Sequence, residues 1–279
     1  MPATVSLSRA IIFIDTETGL EGPWRGSTDV AGTLPPIAAT LGRLRVPAVF
    51  NVCGSLLAGT APLWRDLSQS GHEIALHGWA HENLRLLDDR SLEEALRRSH
   101  DGYLVALKQP PAGFRAPWLE YDARLIAWLA AHGYRWTSHR HLPFRERFLT
   151  PALRPELRGG RFPGAAWAAI QEWRFTGAPV RLAGTMWDIP LTSSMDGELL
   201  GLVSPLQDSP ADVISFCRDA WLTQATRHRQ CFTLNVHDWL VGTGNRPELL
   251  SRTIASLQDR GFAFTTATDY LKSNHAVAG

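Results

Sequence analysis

A distorted (β/α) barrel of about seven parallel strands, forming a single α/β domain over residues 1–279, is the architecture this sequence predicts. Three observations predict it. Short apolar, largely β-branched runs alternate with longer stretches of helical periodicity. Most of these runs are apolar throughout rather than alternating, which suits parallel strands covered on both faces. Ionisable residues recur at the C-terminal ends of the runs, the end where parallel barrels assemble their sites.

The strand candidates are AIIFID (10–15), VPAVFNV (46–52), EIALH (73–77), GFRAP (113–117), YRWTS (134–138), TMWDIP (185–190), CFTLNVH (231–237) and FAFTT (262–266). Between them, SLEEALRRSHDGYLVALKQ opens with a capping box, Ser91 followed by Glu94, and stops before Pro110-Pro111. DARLIAWLAAHG ends at Gly133 and PELLSRTIASLQDRG at Gly261, both typical glycines just past a helix. The rhythm breaks between His139 and Gly184, where periodicity is weak and Pro, Gly and Trp are scattered. That segment reads as a long excursion over the barrel mouth, a candidate lid.

Composition narrows the function classes. A hydrophobic fraction of 44% over 279 residues supports one sizeable core. The net charge of +1 gives no global field for nucleic acid, so no nucleic-acid partner is expected. No apolar run is long enough to span a bilayer, and the N-terminus reaches a strand too soon for a signal peptide, so a cytoplasmic location is expected. Cys53, Cys217 and Cys231 have neither the spacing of a disulfide framework nor that of a thiolate zinc site, and read as reduced core thiols. The His139–Arg181 stretch carries eight Arg against three Glu. Arg forks suit phosphate or carboxylate, so Arg140 is a candidate contact to an anionic substrate, although Arg is this chain's habitual surface cation.

In a parallel barrel the strand ends converge on one face. There the first strand offers Asp15 and Glu17, the third His77 with His81 four residues on, the fourth Arg115, the sixth Asp188 and the seventh His237. Taken singly, such residues are more often helix caps or satisfied core groups. Together they change the odds. Two imidazoles plus one carboxylate, Glu17 or Asp15, make a set that leaves a divalent ion open positions. Zinc is the expected ion, with cobalt, nickel, manganese and iron as alternatives. Asp15 and Glu17 are two apart, so in an extended strand both point to one side, one able to hold metal and the other to take a proton from water.

FIDTE, HGWAH, FRAPW, WDIP and LNVH resemble, in order and rough separation, the five motifs of the polysaccharide deacetylase (NodB-homology) family, and RVPAVFNV is similar to its second strand. The similarity extends to the deformylases of formamidoarabinose-lipid intermediates, through the acid-x-acid first motif, the Trp between the histidines and the Ile-Pro pair. The resemblance implies Asp15 as base, Glu17, His77 and His81 as metal ligands, Arg115 as the residue steadying the base, His237 as general acid and Asp188 as the fourth-motif aspartate. Two departures stand out: Thr16 separates the acids where two adjacent Asp are commoner, and Gly78 replaces a Ser or Thr whose hydroxyl supports the loop. The activity implied is metal-dependent deacylation of an amide on an amino sugar, small or lipid-linked. Trp79, Trp118 and Trp239 each adjoin one of these motifs and are expected to supply a pocket wall, while Trp128 lies in a helical pattern and reads as core. The alternatives are a cyclic imide or ureide hydrolase of the allantoinase kind, and a catalytically inactive carbohydrate-binding homologue.

Overall fold

The computed structural model describes residues 8–17, 29–141, 177–200 and 208–275. One nine-stranded sheet is built from β1 (Ser8–Thr16), β2 (Val49–Val52), β3 (Glu73–Leu76), β4 (Gly113–Phe114), β5 (Trp136–Thr137), β6 (Val180–Ala183), β7 (Met186–Asp188), β8 (Phe232–His237) and β9 (Phe262–Phe264). Its order is β6-β7-β5-β4-β3-β2-β1-β8, with β9 against the start of β1, and all pairings are parallel except β6 on β7. The sheet curls into a barrel of parallel strands wrapped by helices, as the alternation in the sequence predicts. The helices are α1 (Val30–Leu44), α2 (Ala61–Gln69), α3 (Asp89–Leu107), α4 (Ala123–Ala131), α5 (Asp196–Leu200), α6 (Ala211–Arg227), α7 (Asp238–Val241), α8 (Arg246–Asp259) and α9 (Ala267–His275). None of the described helices is long and apolar enough to cross a membrane.

Strand alternation sorts the side chains into two compartments. Along β1, Ala10, Ile12 and Ile14 join the core between sheet and helices, whereas Ile11 and Phe13 face the barrel interior with Val49, Ala75, Trp136 and Ile189. The interior is therefore filled with apolar groups at its lower end. Trp136 fits there because Gly113 lies beside it: a Cβ at Gly113 would come within 2.0 Å of the indole. Continuing the same alternation upward, Asp15, Asn51, His77, Arg115 and His237 are the next inward positions on their strands.

No backbone ladder joins β7 to β8. The seam is spanned by side chains instead: Thr192 and Thr233 exchange main-chain N–H to hydroxyl bonds of 2.7 Å each way, and Ser193 Oγ accepts from both the main-chain N–H and the Nδ2 of Asn235 at 3.2 and 3.1 Å.

Several local expectations change. The cap of α3 is Asp88, whose carboxylate accepts the Ser91 N–H at 2.7 Å, so Ser91 lies inside the helix rather than at its start. The helix α1 contains Pro35 and Pro36, and Asp29 caps it by accepting the Gly32 N–H at 2.8 Å. Of the excursion between His139 and Gly184, residues 142–176 lie outside the described residues, Arg145 and Arg147 among them. Its end forms β6, which pairs antiparallel with β7.

Candidate active site

The ladder brings the first three polar groups level with one another: Asp15 on β1 is in register with Asn51 on β2 and with His237 on β8. Asp15 Oδ1 accepts from Asn51 Nδ2 at 2.7 Å and from Arg115 Nη1 at 2.9 Å, all three groups being buried. Arg115 lies over the Phe13 ring and is fixed further by bonds from Nη2 to Ser138 Oγ and Asn235 Oδ1 at 2.9 and 3.0 Å. Burial pushes the Asp15 carboxyl up, but Arg115, His77, His237 and Asn51 outweigh it, and the group stays below the usual carboxylate range. With Oδ1 taken by two donors, Oδ2 is left to take a proton.

Two residues further on, Glu17 is buried and reaches the histidines. Its Oε2 is 3.4 Å from His77 Nε2 and 2.7 Å from His81 Nε2, and possible ligand atoms of the three residues all lie within 4.8 Å of one another. His77 Nδ1 is 2.9 Å from the Arg115 carbonyl oxygen, which only accepts, so Nδ1 carries a proton and Nε2 is the nitrogen turned toward Glu17. Burial again works against the Glu17 charge, yet the two imidazoles beside it hold its carboxyl well below the ordinary range.

His77 and His81 are joined by a turn. Gly78 has φ +70° and His81 φ +62°, both in the left-handed region. A Cβ on Gly78 would also stand 2.9 Å from Pro117 Cγ. Glycine is what the turn needs here, and support comes from Glu82, whose carboxylate accepts the N–H groups of Trp79 and Ala80 at 2.9 and 2.6 Å. Glu82 thus supports the turn through its carboxylate.

His237 faces the same space from β8, its Nε2 4.0 Å from Glu17 Oε1. Its Nδ1 is 2.6 Å from Asp196 Oδ1, and its main-chain N–H donates to Asp196 Oδ2 at 2.8 Å. Burial lowers the His237 pKa, but Asp196 first, then Glu17 and Asp15, lift it to about 10. The imidazole is therefore protonated near neutral pH.

Asp188 lies elsewhere. Met186 and Asp188 share the outward parity of β7, while Ile189 faces the barrel interior. Asp188 Oδ1 accepts from Thr137 Oγ1 and His139 N at 3.1 and 2.9 Å, and Oδ2 pairs with Arg140 Nε at 2.5 Å. The aspartate that meets His237 is Asp196, in the loop-and-helix segment after β7. Arg140 is correspondingly committed within the fold, to Asp188 and to the Ala178 carbonyl at 3.0 Å. The three tryptophans part company. Trp79 packs on Gly54 with Arg98 over its ring, on the helix side. Trp118, half exposed, lies 5.2 Å from the His81 ring and donates its indole N–H to the His81 carbonyl at 3.3 Å. Trp239 is buried and donates to Glu17 Oε1 at 3.1 Å.

Residues 22–137 match a family model described as polysaccharide deacetylase. The chain is similar to that family over 116 of its 279 residues, less than half of its length. In line with this, 103 residues are 23% identical to a peptidoglycan deacetylase of Helicobacter pylori, covering 37% of this chain and 35% of that protein. The matched segment thus spans about a third of that relative's length. Two crystal structures share the fold of the whole domain. One, described as a polysaccharide deacetylase from Mycobacterium smegmatis, has a TM-score of 0.70 at 19% identity, covering 98% of this chain and 93% of that one. The other, described as Puue allantoinase, has a TM-score of 0.67 at 13% identity with the same coverage of both chains.

The donor set of Glu17, His77 and His81 fits a divalent ion. Glu17 Oε2 is buried without a hydrogen-bond partner. His77 and His81 both turn Nε2 toward it, and the Asp15 and Glu17 carboxyls, held below the usual carboxylate range, favour a cation. Two nitrogens and one oxygen leave open coordination positions, as catalytic rather than structural sites do.

Proposed function

We propose that this chain is a metal-dependent N-deacylase that hydrolyses a small acyl amide on an amino sugar, working as one domain over residues 1–279. The observation that carries this reading is the meeting of Glu17, His77 and His81 with Asp15 on one side and His237 on the other. Glu17, His77 and His81 would hold the ion, zinc first among the candidates. When bound, it supplies Lewis acidity, polarising the amide carbonyl and acidifying the attacking water. Asp15 accepts the proton of that water at Oδ2, its Oδ1 being pinned by Arg115 and Asn51. His237 gives a proton to the departing nitrogen, without which an amine is a poor leaving group. Asp196 keeps that imidazole charged and turned toward the reacting space. Trp118, beside His81 and half exposed, offers an aromatic wall for a sugar ring.

The acyl group is formyl or acetyl in this reading, and the scaffold is a soluble or lipid-linked sugar. A second reading, hydrolysis of a cyclic ureide, is favoured by the structural likeness to the allantoinase and needs the same base and metal. A panel of N-formyl sugars, N-acetyl sugars and cyclic imides, assayed with added zinc and with chelator, separates the two. The expected result is zinc-dependent release of formate or acetate and no ring opening. Asp15→Asn should retain metal by elemental analysis while losing roughly 10²- to 10⁴-fold in rate. Glu17→Gln, His77→Ala and His81→Ala should lose the metal. Metal content unchanged in all three would overturn the ligand assignment, and activity unaffected by chelator would overturn the mechanism.

A further inference from the structure

Glu17 stands just past the end of the β ladder, whose last register pairs are Asp15 with His237 and Thr16 with Val52. Strand pairing therefore does not fix it. Instead, one dipeptide grips it at two points. Its main-chain N–H donates to Asp238 Oδ1 at 3.1 Å, and its side-chain Oε1 accepts the Trp239 indole N–H at 3.1 Å. Asp238 is anchored in turn by the Thr33 hydroxyl on α1, 2.5 Å from its Oδ2. Glu17, Asp238, Trp239 and Thr33 are all buried, so water does not compete for these bonds.

The indole has a single donor and no acceptor, so it can mark one carboxylate oxygen and no other. It marks Oε1. Oε2, which has no hydrogen-bond partner, is then the oxygen turned toward His77 Nε2 and His81 Nε2. The dipeptide directly follows His237, whose ring lies 5.2 Å from that of Trp239, so the same short segment carries the imidazole and the grip on Glu17.

We propose that Asp238 and Trp239 are positioning residues that clamp Glu17, presenting Oε2 to the cation and thereby setting the metal affinity of the site. This role for Trp239 replaces the substrate-wall role that its place beside LNVH suggests, and it rests on the metal reading above.

Trp239→Phe keeps the aromatic bulk and removes the N–H. Zinc affinity is measured by competition with a chromogenic chelator, alongside the visible spectrum of the cobalt-loaded chain, which reports ligand geometry without any substrate. The expected result is a zinc affinity about 10- to 100-fold weaker, the range that outer partners of metal ligands command, with an altered cobalt spectrum. Should Trp239→Phe not fold, Asp238 decides: Asp238→Asn keeps an oxygen acceptor for the Glu17 N–H and should bind zinc as the unaltered chain does, whereas Asp238→Ala should bind it more weakly. Equal zinc affinity and superimposable cobalt spectra across these variants overturn the clamp alone. An unaltered chain that binds no zinc overturns the metal reading and the clamp with it.

Discussion

Asp196 and His237 are separated by forty residues of chain and joined by two bonds, 2.6 Å from carboxylate to imidazole Nδ1 and 2.8 Å from main-chain N–H to the second carboxylate oxygen. The carboxylate thus fixes both the ring and the peptide that bears it. Such a pair sets the tautomer as well as the charge of the imidazole.

Asp196→Asn therefore acts on the alkaline side of the rate profile. A general acid must be protonated, so its contribution is present below its pKa and lost as pH rises through it. Asp196 is the first of the groups that lift that pKa to about 10, ahead of Glu17 and Asp15, so its removal lowers it. The expected outcome is an alkaline limb displaced to lower pH in kcat/KM, with metal content unchanged. A profile that does not move would remove Asp196 from the acid's environment.

Gly78→Ser tests the turn between the two histidines. A serine there must adopt φ +70° against Pro117. The strain should cost about 1–3 kcal/mol. Calorimetry should show a fall in Tm of roughly 2–4 °C per kcal/mol for a domain of this size. Weaker zinc retention should accompany it, since His81 is carried by the same turn. An unchanged Tm would mean that the turn re-forms around the side chain.

For Arg140 the structure predicts a stability effect in place of a substrate effect. Arg140→Met leaves Asp188, buried and already pushed up in pKa by burial, without the cation that opposes that push. Removing one member of such a pair costs roughly 3–5 kcal/mol. Thermal unfolding should register it, while KM for anionic and neutral versions of a substrate should change alike. A selective rise for the anionic version would instead place Arg140 at the ligand.

His139 gives a pH dependence of stability with a definite sign. It is buried, stacked on Tyr121 with ring centroids 4.6 Å apart, and neither ring nitrogen has a hydrogen-bond partner. Burial first, then Arg115 and His77, lower its pKa from 6.5 to about 3. The unfolded chain therefore binds the proton more readily between those values. The stability tied to a neutral His139 is complete above pH 6.5 and is lost as pH falls toward 3. His139→Phe keeps the stacking and cannot charge, so its Tm relative to the unaltered chain should rise steadily from pH 7 to pH 5. A constant difference across that interval would exclude the linkage.

Most strands were legible because they carry a continuous apolar run, and the parity of β1 already places Asp15 and Glu17 on one side. The exception, β6, is Val-Arg-Leu-Ala, a strand broken by an exposed arginine and otherwise only half-buried, so no continuous apolar run announces it. The helix α1 hides behind Pro35-Pro36, which signal a break when read locally. Asp188 misled because it closes an apolar run as the others do, while its parity along β7 turns it outward. Asp196 left no trace of its partner: an acidic residue in the first turn of a helix is ordinary capping chemistry, and only the fold shows that His237 lies opposite. Asn51 could have been found, since a lone amide inside Val-Phe-Asn-Val sits on the inward parity and calls for a polar neighbour.

The missing ladder between β7 and β8 also has a geometric consequence. Where strands exchange main-chain bonds, peptide geometry fixes their separation at about 4.8 Å whatever the residues. Across this seam the separation is set by the reach of Thr192, Ser193, Thr233 and Asn235, so the circumference of the barrel is partly written in side chains. Exchanging a threonine for a serine or a glutamine along that line would retune the bore of the barrel, and with it the span between Asp196 on one side and Glu17, His77 and His81 on the other, without touching any of those side chains.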